Sequence, residues 1–210
     1  MLTALEALDQ LREGNRRFVA NQTEARPAVP PRGGAQEPFA IILGCSDSRV
    51  PAELVFDQGF GDLFVIRVAG NIVAPSQVGS VEFAASRFHT RLVVVMGHSE
   101  CGAVIATLDE LQGRATTESR NLRSIVDRVR PSVEAVLAAR PAEDADAEEL
   151  LHAAVRANVR ASAQHLRHGS PLLEELIQTT DLLVVGAEYS LNTGVVDFFD
   201  GVPSPARAGR

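Results

Sequence analysis

Apolar residues follow two rhythms along this chain. In the first they form short unbroken blocks: Phe39-Ala-Ile-Ile-Leu43, Leu63-Phe-Val-Ile at the centre of residues 62–68, Leu92-Val-Val-Val-Met96, and Leu182-Leu-Val-Val within 181–187. Blocks of this length, rich in β-branched residues, predict strands buried on both faces, as in a parallel sheet. In the second rhythm apolar positions recur at helical spacing. Leu5, Leu8, Leu11 and Phe18 do so within residues 2–20, with Glu6, Asp9, Arg12 and Arg16 on the other faces. Residues 50–57, 76–88 and 101–111 also read as helices, and 119–178 as mostly helical, Ala/Arg/Glu-rich chain. Within it the acidic stretch 141–149 reads as a solvated helix start. Residues 195–199, after the Asn192-Thr-Gly194 turn, predict an edge strand. Residues 21–37 hold three prolines and two glycines and read as a loop or arm, and 201–210 as a frayed tail. Strands alternating with helices predict an α/β fold: one domain over 1–210, with a mainly parallel sheet covered on both faces. An antiparallel edge strand and an N-terminal helical arm (1–37) complete it.

Composition narrows the function. The chain has 210 residues, 45% of them apolar, enough for a substantial core. A net charge of −7 argues against nucleic acid or an anionic membrane as partner. No leader pattern is evident, and no apolar stretch approaches the ~18–20 residues of a membrane span. A cytoplasmic setting is the expectation. All 20 basic residues are arginine, which excludes lysine Schiff-base chemistry and a lysine-bearing phosphate loop.

Both cysteines lie just past strand ends, in Gly44-Cys-Ser-Asp-Ser-Arg49 and Gly97-His-Ser-Glu-Cys-Gly102. Open α/β sheets carry their sites at the carboxyl ends of parallel strands. Cys45, His98 and Cys101 offer one zinc ion two thiolates and an imidazole, with a fourth position open, the arrangement of catalytic zinc. Cys101 begins a helix, whose N-terminus favours the thiolate. Two thiolates cancel the ion's charge, so a bound water needs help to deprotonate. Asp47, two residues beyond Cys45, and Arg49, two further, suit a two-toothed ion pair. A carboxylate so held accepts a hydrogen bond from hydroxide but cannot donate one, so it selects the deprotonated nucleophile. Alternatively, Asp47 swings onto the metal and closes the site. Other readings of the cysteines are buried small hydrophobes or a disulfide. A phosphatase-type loop would need an arginine where Pro51 stands.

At these residues the chain resembles the β-class carbonic anhydrases, from about Leu11 to Asp197. The likeness is densest in Cys45-Ser-Asp-Ser-Arg-Val-Pro51, Gly61-Asp-Leu-Phe-Val-Ile-Arg-Val-Ala-Gly-Asn71 and Val95-Met-Gly-His-Ser-Glu-Cys-Gly102. The resemblance implies one zinc per chain on Cys45, His98 and Cys101, an Asp47–Arg49 dyad, and reversible hydration of CO2 to bicarbonate by zinc-bound hydroxide. It also implies a homodimer or a tetramer, with the N-terminal helix lying across the partner. Gln36 matches a glutamine that reaches substrate across the dimer interface in the open-site branch. Phe64, Ala69 and Phe83 match apolar pocket positions, and the Gly102 N–H joins Gln36 in positioning CO2. Two departures stand out: Phe83 where tyrosine is frequent, and Val68 where asparagine is. A second branch carries an inhibitory bicarbonate pocket of Trp, Arg and Tyr. Arg67 and Tyr189 match two of these, but Ile42 stands in place of the tryptophan, so no such pocket is expected. No histidine is marked as the proton shuttle; His89, His152, His165 and His168 read as surface residues. The rival functions are hydrolysis of carbonyl sulfide or carbon disulfide at the same site, and a non-catalytic zinc scaffold.

Overall fold

The computed structural model describes residues 2–24, 35–117, 119–139 and 146–203. Its elements are α1 (Ala4–Val19), β1 (Ala40–Gly44), α2 (Ala52–Val55), β2 (Leu63–Arg67), a 3-10 turn (Ala69–Asn71), α3 (Pro75–Arg87), β3 (Leu92–His98), α4 (Gly102–Leu111), α5 (Arg120–Ala139), α6 (Ala147–His168), α7 (Pro171–Thr179), β4 (Leu183–Tyr189) and β5 (Val196–Asp200). The strands form one sheet in the order β2-β1-β3-β4-β5. The first four are mutually parallel and β5 is antiparallel. This is the expected α/β architecture with its antiparallel edge. Most of the arm 21–37, the first half of the acidic stretch 141–149 and most of the tail lie outside the described residues.

The unbroken apolar blocks follow from burial on both sheet faces. Ile42, Val94, Met96, Val185 and Ala187 turn toward α1 and α2. Ile41, Leu43, Val93, Val95 and Val184 turn toward α3, α6 and α7. Each side chain of this size, fully removed from water, stabilises the fold by about 1.5–3 kcal/mol. A third apolar cluster links α4, α5 and α6 and includes both cysteines.

Helix α1 opens with a capping box: the Thr3 hydroxyl accepts from the Glu6 N–H while the Glu6 carboxylate accepts from the Thr3 N–H. It lies on its own chain's sheet, burying Ala4, Ala7, Leu8 and Leu11. The expected apolar stripe is corrected at one position: Leu5 points outward, 53% exposed, because the face that docks runs through the alanines beside it. Asn15 fixes the dock. Its amide donates to the carbonyls of Val55 and Gly194, and its carbonyl accepts from the Val196 N–H.

The chain leaves β1 toward β2 on one side and, by way of α3, reaches β3 on the other. β1 leads on to β2 on one side and β3 to β4 on the other, so the carboxyl ends of β1 and β3 form the switch point at which open α/β sheets place their sites. Cys45 directly follows β1, and His98 ends β3. Close packing behind β3 requires a glycine there. A Cβ on Gly97 would stand 2.6 Å from Val159 Cγ2 and 3.4 Å from Val155 Cγ1, on α6. We expect Gly97→Ala to lose about 1–3 kcal/mol of stability. A shift of the urea midpoint at unchanged slope is the check.

Candidate metal centre

Two neighbouring parallel strand ends bring the Cys45 and Cys101 sulfurs and a His98 ring nitrogen within 4.8 Å of one another. All three residues are buried, His98 completely. The loop between His98 and Cys101 turns back through Glu100 in the left-handed region, φ 58°. That conformation, uncommon for a residue with a Cβ, lets the end of β3 and the start of α4 aim at one point. Cys101 is the N-cap of α4.

His98 Nδ1 lies 2.8 Å from the Ser99 carbonyl and donates to it. Nε2 is left with its lone pair facing the two thiols. It is buried and has no hydrogen-bond partner among the described residues. A buried nitrogen without a partner is costly unless something else binds it. The thiols carry the same signature. Cys45 is held well below the usual thiol range, first by hydrogen bonding from the Cys101 thiol, against its own burial, and further by the Gly70 N–H. Cys101 is pushed above the usual thiol range by the same contact with Cys45 and by burial. As expected of the α4 N-terminus, the backbone N–H groups of Val104 and Ala103 favour the Cys101 thiolate, while the neighbouring Cys45 sulfur and burial oppose it. A divalent cation would favour the thiolate form of both sulfurs. Two thiols and an orphaned imidazole nitrogen form a donor set that fits zinc.

Asp47 stands at the open side of this group, 3.9 Å from His98 Nε2. Arg49 grips it with two teeth, Nε to Oδ1 at 3.0 Å and Nη2 to Oδ2 at 2.9 Å, and its backbone N–H adds a third bond at 2.9 Å. The guanidinium holds the Asp47 carboxyl well below the usual carboxylate range. Arg67 plays a part that the sequence did not reveal. The register places it beside Gly44, and its fork donates to the carbonyls of Cys45 (3.1 Å) and Asp47 (2.6 Å). It pins the loop that carries Cys45 and Asp47. The signal that could have found it is the strand pairing itself.

The remaining expected residues separate into two groups. Ala69 opens the 3-10 turn whose Gly70 N–H lies 3.3 Å from the Cys45 sulfur, and Gly102 starts α4 next to Cys101, so both border the Cys45–His98–Cys101 group. Gln36, Phe64 and Phe83 do not. Gln36 precedes β1, and Phe83 packs with Phe64 and Phe88 at ring separations of 5.5–6.3 Å. Gln36 and Phe83 line a cavity of about 910 Å³ at the amino ends of β1 and β3. The length of β1, roughly 16 Å at about 3.3 Å per residue, separates them from Cys45 in the same chain.

A buried carboxylate also escaped the sequence reading. Glu188 on β4 is 7% exposed and bonds His152 at 3.0 Å, with Arg156 at 3.6 Å. Its burial raises its pKa. Among the described residues, no helix is long and apolar enough to cross a membrane.

The family model described as "Carbonic anhydrase" matches residues 40–196. Carbonic anhydrase 2 of Mycobacterium tuberculosis is 38% identical over 188 residues, covering 88% of this chain and 87% of that one. A carbonic anhydrase of Mycolicibacterium smegmatis is 37% identical over 195 residues, with 89% of each chain covered. Among solved structures, a tetrameric β-carbonic anhydrase of Sordaria macrospora superimposes with a TM-score of 0.70 at 25% identity, over 79% of this chain and 82% of that one. The β-carbonic anhydrase CafA of Aspergillus fumigatus gives 0.71 at 26% identity, over 80% of this chain and 78% of that one.

Proposed function

Since the chain belongs to the β-carbonic anhydrase family, we infer that it catalyses the reversible hydration of CO2 to bicarbonate with one zinc per chain on Cys45, His98 and Cys101. The observation that carries this is the orphaned His98 Nε2, buried between two thiols and facing Asp47. When bound, zinc makes a hydroxide nucleophile available near neutral pH by acidifying water. Asp47 contributes an ionised carboxylate that can only accept a hydrogen bond. It therefore orients the nucleophile through its O–H and disfavours water in that place. Arg49 keeps Asp47 ionised and immobile, and Arg67 fixes the loop beneath both. The Gly102 N–H and the small Ala69 form the near wall for substrate.

The distant group is explained by a second copy. In a homodimer, or a tetramer of such dimers, the Gln36–Phe83 cavity of one copy faces the metal centre of the other. Gln36 then supplies a donor to a CO2 oxygen, and Phe64 and Phe83 an apolar wall. The tetrameric neighbour from Sordaria macrospora supports an assembly. We place the reaction in the cytoplasm, where the two unpaired thiols stay reduced.

Stopped-flow CO2 hydration by the zinc-loaded protein is the test, with metal content measured alongside. One zinc per chain and hydration that disappears on chelation are expected. Full metal content without hydration would leave a scaffold, and turnover of carbonyl sulfide in its place would reassign the substrate.

A further inference from the structure

Each CO2 hydrated releases one proton, which must leave the site for solvent. The chain has five histidines. His98 belongs to the metal centre. His152 is committed to Glu188. His165 faces a groove between α3, α5 and α6, and His168 is exposed at the end of α6. His89 alone among them lines the cavity that Gln36 and Phe83 line.

We propose that His89 is the proton-transfer residue of this enzyme, carrying the proton from the substrate cavity to buffer. The inference rests on the reading of that cavity as the substrate wall. Its geometry is built into the chain. His89 follows the end of α3 in the left-handed region, φ 55°, which turns the chain sharply and leaves the side chain exposed. The next residue, Thr90, is buried, and its hydroxyl donates to the Pro38 carbonyl at 2.8 Å. That bond ties the His89 turn to the segment carrying Gln36. The other charged residues lining the cavity are Arg87, Arg91 and Glu37. Two guanidiniums against one carboxylate draw anionic buffer toward the imidazole. The step balances without electron transfer: CO2 and water give bicarbonate and a proton, a neutral ring nitrogen takes that proton, and the imidazolium passes it to a buffer base.

The test compares zinc-loaded wild type with His89→Asn by stopped flow in dilute and concentrated buffer. Asparagine tolerates the left-handed backbone, and His89→Gly, which suits it equally, is the second replacement. In dilute buffer kcat falls roughly tenfold or more while kcat/KM holds, and added imidazole restores kcat. A second readout does not involve turnover. The ring proton resonances of His89, identified by their loss in the variant, shift when bicarbonate is titrated into wild type at fixed pH. Unchanged kcat in dilute buffer for both variants, or resonances indifferent to bicarbonate, overturns the proposal. Gln36→Ala separates the layers: it lowers kcat/KM if the cavity is the substrate wall. If kcat/KM is unmoved, the underlying reading falls, and the role of His89 with it.

Discussion

Cys45→Ser yields a protein that loses its zinc on dialysis and hydrates CO2 at least about 10⁴-fold more slowly than wild type. The size of the effect comes from the nucleophile: water of pKa 15.7 replaces one acidified to about 7. Serine keeps the shape of the side chain but offers a hard, neutral hydroxyl where the site needs a soft thiolate. The fold should tolerate the change, because the Gly70 N–H that lies 3.3 Å from the Cys45 sulfur finds an acceptor in the new oxygen. Metal analysis and stopped flow on the same sample read both consequences. Stoichiometric zinc in the variant would show that this sulfur is not a ligand, and the site would have to be redrawn around His98 and Cys101.

Asp47→Asn separates the carboxylate from the metal. Zinc stays at one per chain, since Asp47 is not needed to hold it, while kcat/KM falls by roughly 10²–10³. The amide can donate as well as accept, so it no longer selects the deprotonated nucleophile. It also leaves the Arg49 fork without its two-toothed partner. The pH dependence sharpens the test. Arg49 depresses the Asp47 pKa below its ordinary value of 3.8. A depressed carboxylate contributes fully above that ordinary value and is lost only as pH falls through the lower, folded one. Asp47 therefore stays ionised over roughly pH 6 to 9, and the ratio of wild-type to variant activity is flat there. A ratio that changes tenfold across this window would mean that Asp47 itself titrates in the working range. The grip of Arg49 would then be weaker than its geometry indicates.

The parts of the site that could be read from the sequence are those whose signal is local. The Cys45 and His98–Cys101 motifs each follow an unbroken apolar block, and both blocks are sheet strands, β1 and β3. Asp47 and Arg49 lie two residues apart, close enough for the pair to form within one turn. Helix α7 had a local signal of its own in Ser170-Pro171, an N-cap with proline at the first helical position. Propensity alone merges it with α5 and α6, because Ala/Arg/Glu-rich chain favours helix throughout residues 119–178.

By itself, then, the sequence determined that buried parallel strands end in thiol, imidazole and carboxylate groups, because solvent exclusion writes itself into unbroken apolar runs and short-range geometry into spacing. Tertiary structure alone decided which of these groups meet. Arg67 reaches the Cys45 loop only through the register of β1 against β2. Leu5 faces outward because the face of α1 that docks runs through alanines. Glu188 is buried against His152 across 36 positions of chain that no local rule connects. Gln36 and Phe83, which resemblance joins to Cys45, stand at the other end of the sheet. The physical reason is common to all four: contacts between distant residues depend on strand register, packed face and assembly, which arise only when the whole chain buries its apolar surface together.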